Sequence, residues 1–124
     1  MVSRRRSPLS AERSPITPPQ RLSRKKLAEL VEEAIIDCYG EAEQATGLFT
    51  MIDEHLSTPF RATVLGVDVT VEKIDITDRD EVVVWCRRGV DRQWLRILDV
   101  RPSHPAPAGW EWVEAYRQWA RGGR

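Results

Sequence analysis

Four carboxylate side chains fall within seven positions near the middle of the chain: Asp75, Asp78, Asp80 and Glu81. Alternating apolar residues precede them and an apolar run follows at once, so the pattern predicts an acidic turn between two β-strands. Carboxylate oxygens on a loose turn are the ligands that hard cations such as calcium prefer. An acidic turn also keeps a surface loop solvated, and the residues alone leave both interpretations open.

A second acidic group surrounds a glycine that interrupts a helical pattern. Asp37 precedes Gly40, and Glu41 and Glu43 follow it. Backbone carbonyls are free at a helix end, so this segment also offers oxygen ligands. Neither group has the spacing of an EF-hand. Counted from Asp75, the positions that require glycine and glutamate hold Asp80 and Cys86.

The chain carries no recognisable catalytic set, and we predict that it is not an enzyme. Its two histidines, His55 and His104, lie in no HExxH or HxH pattern, and no GxSxG, Walker A or GxGxxG motif is present. The two cysteines, Cys38 and Cys86, lie on apolar faces of predicted elements. We expect both to be reduced thiols buried in the core.

The elements that must position the carboxylates follow from periodicity. Apolar residues at helical spacing predict helices at 24–39, with Ser23 as N-cap, and at about 41–56. Alternation predicts strands at 61–65, 67–74, 82–88 and 93–98, with a hairpin at 89–91. A stiff linker at 101–109 leads to a helix at 110–120, whose three tryptophans should pack on the sheet.

We therefore predict an α+β fold. It has N-terminal helices, a four-stranded antiparallel meander that curls into a small, partly open barrel-like sheet, and a C-terminal helix.

Charge divides the chain into a basic tail and an acidic body. Residues 1–26 carry eight basic side chains and one acidic, whereas 27–124 carry eleven basic and eighteen acidic. The proline- and serine-rich segment 1–22 is predicted to be disordered, 23–120 to form one domain, and 121–124 to be flexible. No secretory signal or membrane-spanning run is recognised, so we expect a cytoplasmic protein that has no membrane partner.

Several segments in the same order resemble the CcbP-type bacterial calcium-binding proteins. They include DCYGEAEQATGLFTM at 37–51, VLGVDVTVEKIDITDRDE at 64–81, CRRG at 86–89 and EWVEAY at 111–116. The resemblance covers about residues 30–120. It implies a small acidic cytoplasmic domain that binds calcium without EF-hands, in buffering or signalling. Seven positions match the family's acidic segments, namely Asp37, Glu41, Glu43, Asp75, Asp78, Asp80 and Glu81.

The leading hypothesis is thus a non-enzymatic calcium-binding protein that uses these acidic groups; if the two groups face each other, one ion could bridge them. The rival is a small β-barrel module that docks protein or nucleic acid through its arginine-bearing strands and the basic tail. Under the leading hypothesis calcium ions are the partner, an unknown protein partner is an open alternative, and nucleic acid is expected only at the tail.

Overall fold

The first helix, α1, spans Arg24–Ala34 and begins where the Ser23 hydroxyl accepts a hydrogen bond from the Lys26 N–H at 3.0 Å. A computed structural model describes residues 22–123; the predicted tail therefore lies outside the described residues, apart from Leu22. The helix ends earlier than the predicted residue 39. The backbone turns at 35–37, and Asp37 takes a left-handed conformation with φ 64° that does not continue a helix.

The second helix, α2, spans Glu41–His55, close to its predicted range. Gly40 precedes it with φ 89°, a conformation that residues other than glycine rarely adopt. The position therefore changes the direction of the chain between the two helices, as the interrupted pattern predicted.

Within residues 22–123 the sheet has five strands rather than the predicted four. These are β1 (Phe60–Val64), β2 (Val67–Ile76), β3 (Val82–Arg88), β4 (Asp91–Arg96) and β5 (Arg101–Pro102). All described neighbours pair antiparallel in the order β4-β3-β2-β1-β5, so the sheet is open. The first four strands form the predicted meander.

The additional strand β5 lies in the segment predicted as a linker. Arg101 pairs with Thr63, Pro102 pairs with Ala62, and the Ser103 N–H donates to the Arg61 carbonyl at 2.9 Å. Proline has no N–H to donate to a neighbouring strand, so within a sheet it is tolerated mainly in edge strands such as β5. The three prolines of this segment indicated a linker, so the sequence pattern did not predict the strand.

The last helix, α3, spans Trp110–Gln118, and a π-helical turn follows at Trp119–Gly123. Gly109 has φ 90°, and a Cβ there would overlap the carbonyl oxygen of His55, so the close approach of α3 to the end of α2 requires glycine. Within residues 22–123 no helix has the length and apolar character needed to cross a bilayer.

One hydrophobic core lies between the three helices and one face of the sheet. The helical tryptophans Trp110, Trp112 and Trp119 are all buried in the core, as predicted, but they pack on neighbouring helices as well as on the sheet. Trp110 meets Phe60 edge-on at 5.8 Å between ring centroids, and Trp112 stacks on His55 at 5.5 Å. Both cysteines are free thiols; Cys86 is buried as predicted, whereas Cys38 is only half-buried.

Candidate metal site

The acidic turn between β2 and β3 is closed by Thr77 and not by its carboxylates. The Thr77 hydroxyl accepts from the N–H groups of Arg79 and Glu81, each at 3.2 Å. The Thr77 N–H donates to the Glu81 carbonyl, and its own carbonyl accepts from the Asp80 N–H, both at 2.9 Å. Backbone groups and the Thr77 hydroxyl therefore close the turn, and its shape does not depend on the side chains of Asp78, Asp80 or Glu81.

The four carboxylates of this turn differ in their surroundings. Asp75 is exposed, and its Oδ1 accepts from the N–H of Ile76 at 2.8 Å. Asp78 is exposed and makes no hydrogen bond or ion pair with another described residue. Asp80 is half-buried and has φ 63°, a left-handed conformation that aspartate tolerates better than most residues. Asp80 therefore has a backbone role in the turn.

Glu81 already has a cation beside it. Its Oε2 lies 3.5 Å from Nη1 of Arg96, whose guanidinium also donates to both carboxylate oxygens of Asp99 at 3.0 and 3.1 Å. The hydrogen bond with Asp99, followed by the charges of Asp99 and Glu81, raises the pKa of Arg96. Arg96 thus remains charged, and it neutralises part of the acidity at this end of the sheet.

The second group lies at the junction between α1 and α2. Asp37 is exposed at the turn that ends α1, and Glu41 and Glu43 are exposed in the first turn of α2. The Tyr39 N–H donates to Oε1 of Glu43 at 2.9 Å, which fixes the start of the helix. Carboxylates near a helix N-terminus also interact favourably with the helix dipole. Part of the acidity here therefore stabilises α2 itself.

A chain of side-chain contacts through α3 and the turn that follows it connects the two acidic segments, and we call this chain of contacts the relay. Gln44, in the first turns of α2, accepts from the Trp119 indole N–H at 2.9 Å. Trp119 stacks on Tyr116 with ring centroids 6.0 Å apart, and the Tyr116 hydroxyl accepts from the N–H of Val82 at 3.2 Å. Val82 follows the acidic turn directly. Both segments therefore belong to the end of the domain where α3 finishes.

The side chains do not form a ready-made cage. Among the described residues, no three histidine, cysteine, aspartate or glutamate side chains are arranged so that they could hold a metal ion. The structure places Asp37, Glu41 and Glu43 in one group and the four acidic residues of the turn in another. That both groups meet at one ion stays a prediction.

The donors suit a hard cation in type. Both groups offer carboxylate and backbone oxygens, which calcium accepts in flexible arrangements of six to eight ligands. The described histidines lie elsewhere: His55 stacks on Trp112 at the end of α2, and His104 follows β5. A nitrogen- and sulfur-rich zinc site is therefore not assembled from the described residues at either acidic segment.

Sequence reasoning missed the residues that connect the two segments. Gln44 and Trp119 lie 75 positions apart, and Tyr116 and Val82 lie 34 apart. Trp119 was predicted as core, and burial gives no sign that the polar atoms of Trp119 and Tyr116 also bind specific partners. Only the placement of α3 across the end of the sheet reveals the relay.

Comparison with known proteins agrees with this fold. Residues 29–120 match the family Calci_bind_CcbP, described as calcium binding. The match spans most of the chain, and the protein belongs to this CcbP-type family. Its membership confirms the resemblance that the acidic segments indicated.

Two solved structures share the fold. The crystal structure of Anabaena CcbP superimposes with a TM-score of 0.69 at 18% identity, covering 83% of this chain and 95% of that chain. A calcium-binding protein in its calcium-binding form gives 0.66 at 17% identity, covering 80% of this chain and 92% of that one. No curated protein matches the sequence significantly.

Proposed function

We propose that this protein binds calcium through the carboxylates at the α1–α2 junction and the β2–β3 turn, in calcium buffering or signalling. The observation that carries the proposal is membership of the calcium-binding family over residues 29–120. The carboxylates at both segments support it, because they supply the oxygen donors that calcium prefers.

The candidate ligands differ in the contacts that they must release before they can bind an ion. Asp37 and Asp78 are exposed and make no ion pair with another described residue, whereas Glu81 must loosen its contact with Arg96. Glu43 keeps Oε2 for an ion while Oε1 holds the Tyr39 N–H. The ligand set therefore combines free carboxylates with carboxylates that have a local partner.

The expected affinity follows from the absence of a converged cage among the described residues. Calcium must draw side chains together from two loops, and their ordering costs conformational entropy that a preformed site would avoid. We expect a dissociation constant in the range of sensor sites, on the order of 10⁻⁷–10⁻⁵ M. Because the ion binds only the folded arrangement, it should also raise the melting temperature.

Isothermal titration calorimetry of the full chain with calcium, and with magnesium as the control ion, tests the proposal. Asp75→Asn combined with Asp78→Asn should weaken calcium binding about tenfold or more, because it removes two anionic ligands. Asp53→Asn combined with Asp91→Asn is the matched control, since it removes two charges at the far end of α2 and in the β3–β4 hairpin. Absence of calcium heat and of a thermal shift would refute calcium binding, and equal loss in both double variants would move the site away from the acidic turn.

A further inference from the structure

The sheet has a second face that the three helices do not cover. In β3 the residues Val82, Val84 and Cys86 are buried against the helices, so Val83, Trp85 and Arg87 lie on the opposite side. The buried helical residues all join the core on the first side. We call the opposite side, as far as the structure describes it, the outer face.

Strand register arranges the outer face in rows. One row runs across four strands, from Arg61 through Thr70 and Arg87 to Arg92. A second row crosses three strands and contains Lys73, Trp85 and Trp94. Same-face neighbours along a strand lie about 7 Å apart, so the aromatic row lies beside the row of arginines.

The aromatic row consists of two tryptophans on neighbouring strands. Trp85 and Trp94 have ring centroids 5.1 Å apart with planes tilted by 51°. Trp94 is 42% exposed although it is large and apolar, and Trp85 is half-buried. Such a cross-strand pair strengthens the hairpin, but it also leaves aromatic ring surface open to solvent on an uncovered sheet.

Positive charge surrounds this ring surface. The outer-face rows and the adjoining strand β5 contain six basic residues, namely Arg61, Lys73, Arg87, Arg92, Arg96 and Arg101. The acidic residues on the same strands are Asp68, Glu72, Asp75 and Asp91, of which Asp91 pairs in register with Arg88 on the side opposite the outer face. Glu72 pairs with Arg87 at 2.7 Å, and Arg96 pairs with Asp99. The other four cations make no ion pair between described residues.

We propose that the outer face binds single-stranded nucleic acid. Unstacked bases lie on the exposed ring of Trp94 and on the half-buried ring of Trp85, while phosphates contact Arg92, Lys73 and Arg61. Open sheets with paired aromatic residues and flanking cations bind single strands in this way, because every base has a ring face and every nucleotide a phosphate. A duplex keeps its bases stacked, and an acidic peptide supplies charge but no flat ring system, so neither uses both features.

Fluorescence anisotropy with full-length protein tests the proposal, using fluorescein-labelled 12-nucleotide oligo-dT and oligo-U. We expect Trp94→Ala to weaken binding about tenfold through lost stacking. Arg92→Gln should weaken it less and lower the salt dependence by about 0.7 in log–log slope, since one phosphate contact is removed. Arg88→Gln is the matched control, because Arg88 lies in the same hairpin on the opposite face and should leave binding unchanged.

The basic N-terminal segment also attracts phosphates, and the variants separate its contribution. A tail-only interaction would leave Trp94→Ala and Arg92→Gln as tight as the parent protein, and this result overturns the proposal. If the protein binds poly-glutamate as tightly as the oligonucleotides, and Trp94→Ala leaves the affinity for both unchanged, the proposal is also overturned, in favour of an acidic protein partner. Circular dichroism melting of each variant shows whether weaker binding reflects lost contact, which supports the proposal, or lost folding, which overturns it.

Discussion

Replacing Tyr116 by phenylalanine tests whether α3 holds the end of the sheet that carries the acidic turn. The substitution keeps the ring that stacks on Trp119 and removes only the hydroxyl that accepts from the Val82 N–H at 3.2 Å. Val82 is fully buried, so its N–H would lose its acceptor in a site that excludes water. A buried donor without a partner costs about 1–3 kcal/mol.

The geometry places the expected cost in the lower part of that range. At 3.2 Å the bond lies at the long end of N–H···O distances and joins two neutral groups. We therefore expect the free energy of unfolding to fall by about 1–2 kcal/mol. In a domain of this size, each kcal/mol lowers the melting temperature by roughly 4–8 °C.

Urea denaturation followed by far-ultraviolet circular dichroism, in calcium-free buffer, measures this loss. Tyr39→Phe is the matched control, because it removes the same atom from a tyrosine that is 79% exposed and should change stability by less than about 0.5 kcal/mol. If the Tyr116 variant were as stable as the parent, or if both variants lost equally, the hydroxyl would not anchor the strand and the relay through α3 would be wrong.

Two further predictions concern the core. Gly109→Ala should lower the free energy of unfolding by about 2–4 kcal/mol in thermal or urea denaturation, because the new Cβ both overlaps the His55 carbonyl and is strained at φ 90°; unchanged stability would contradict the close packing. Burial raises the pKa of the Cys86 thiol above its ordinary value of 9.0, so the folded state disfavours the thiolate. The stability that this thiol contributes is fully present below pH 9.0 and is lost as the pH rises through the raised pKa of the folded state. Iodoacetamide should also label the half-buried Cys38 before the buried Cys86, as detected by mass spectrometry. Faster labelling of Cys86 would contradict its burial.

Local patterns predicted most of the elements. The strand at Val82–Arg88 and the helix at Glu41–His55 match their predicted ranges within a residue, because alternation and helical spacing report directly on burial. Errors arose where conformation depends on contacts distant in sequence or on the backbone conformation of a single residue. The strand at Arg101–Pro102 exists because β1 offers a free edge, and α1 ends before 39 because the backbone reverses at Asp37.

The candidate site was predicted in composition but not in arrangement. Residue types and order were sufficient to identify the acidic segments and the family. They gave no information about which carboxylates already have partners, such as Glu43 with Tyr39 and Glu81 with Arg96. Those partnerships depend on the side-chain conformations of a turn and a helix start, which periodicity does not encode.

Arg96 has a consequence for how the acidic turn responds to ionic conditions. Its guanidinium is a tethered counterion, held between Glu81 and Asp99 at an effectively constant local concentration. Any free cation that binds Glu81 must displace the Arg96 guanidinium. The measured affinity therefore reflects the difference between the interaction of Glu81 with the cation and its interaction with Arg96. Under the proposed function, an ion at Glu81 therefore has to gain more from the carboxylate than Arg96 does, which favours cations of higher charge density.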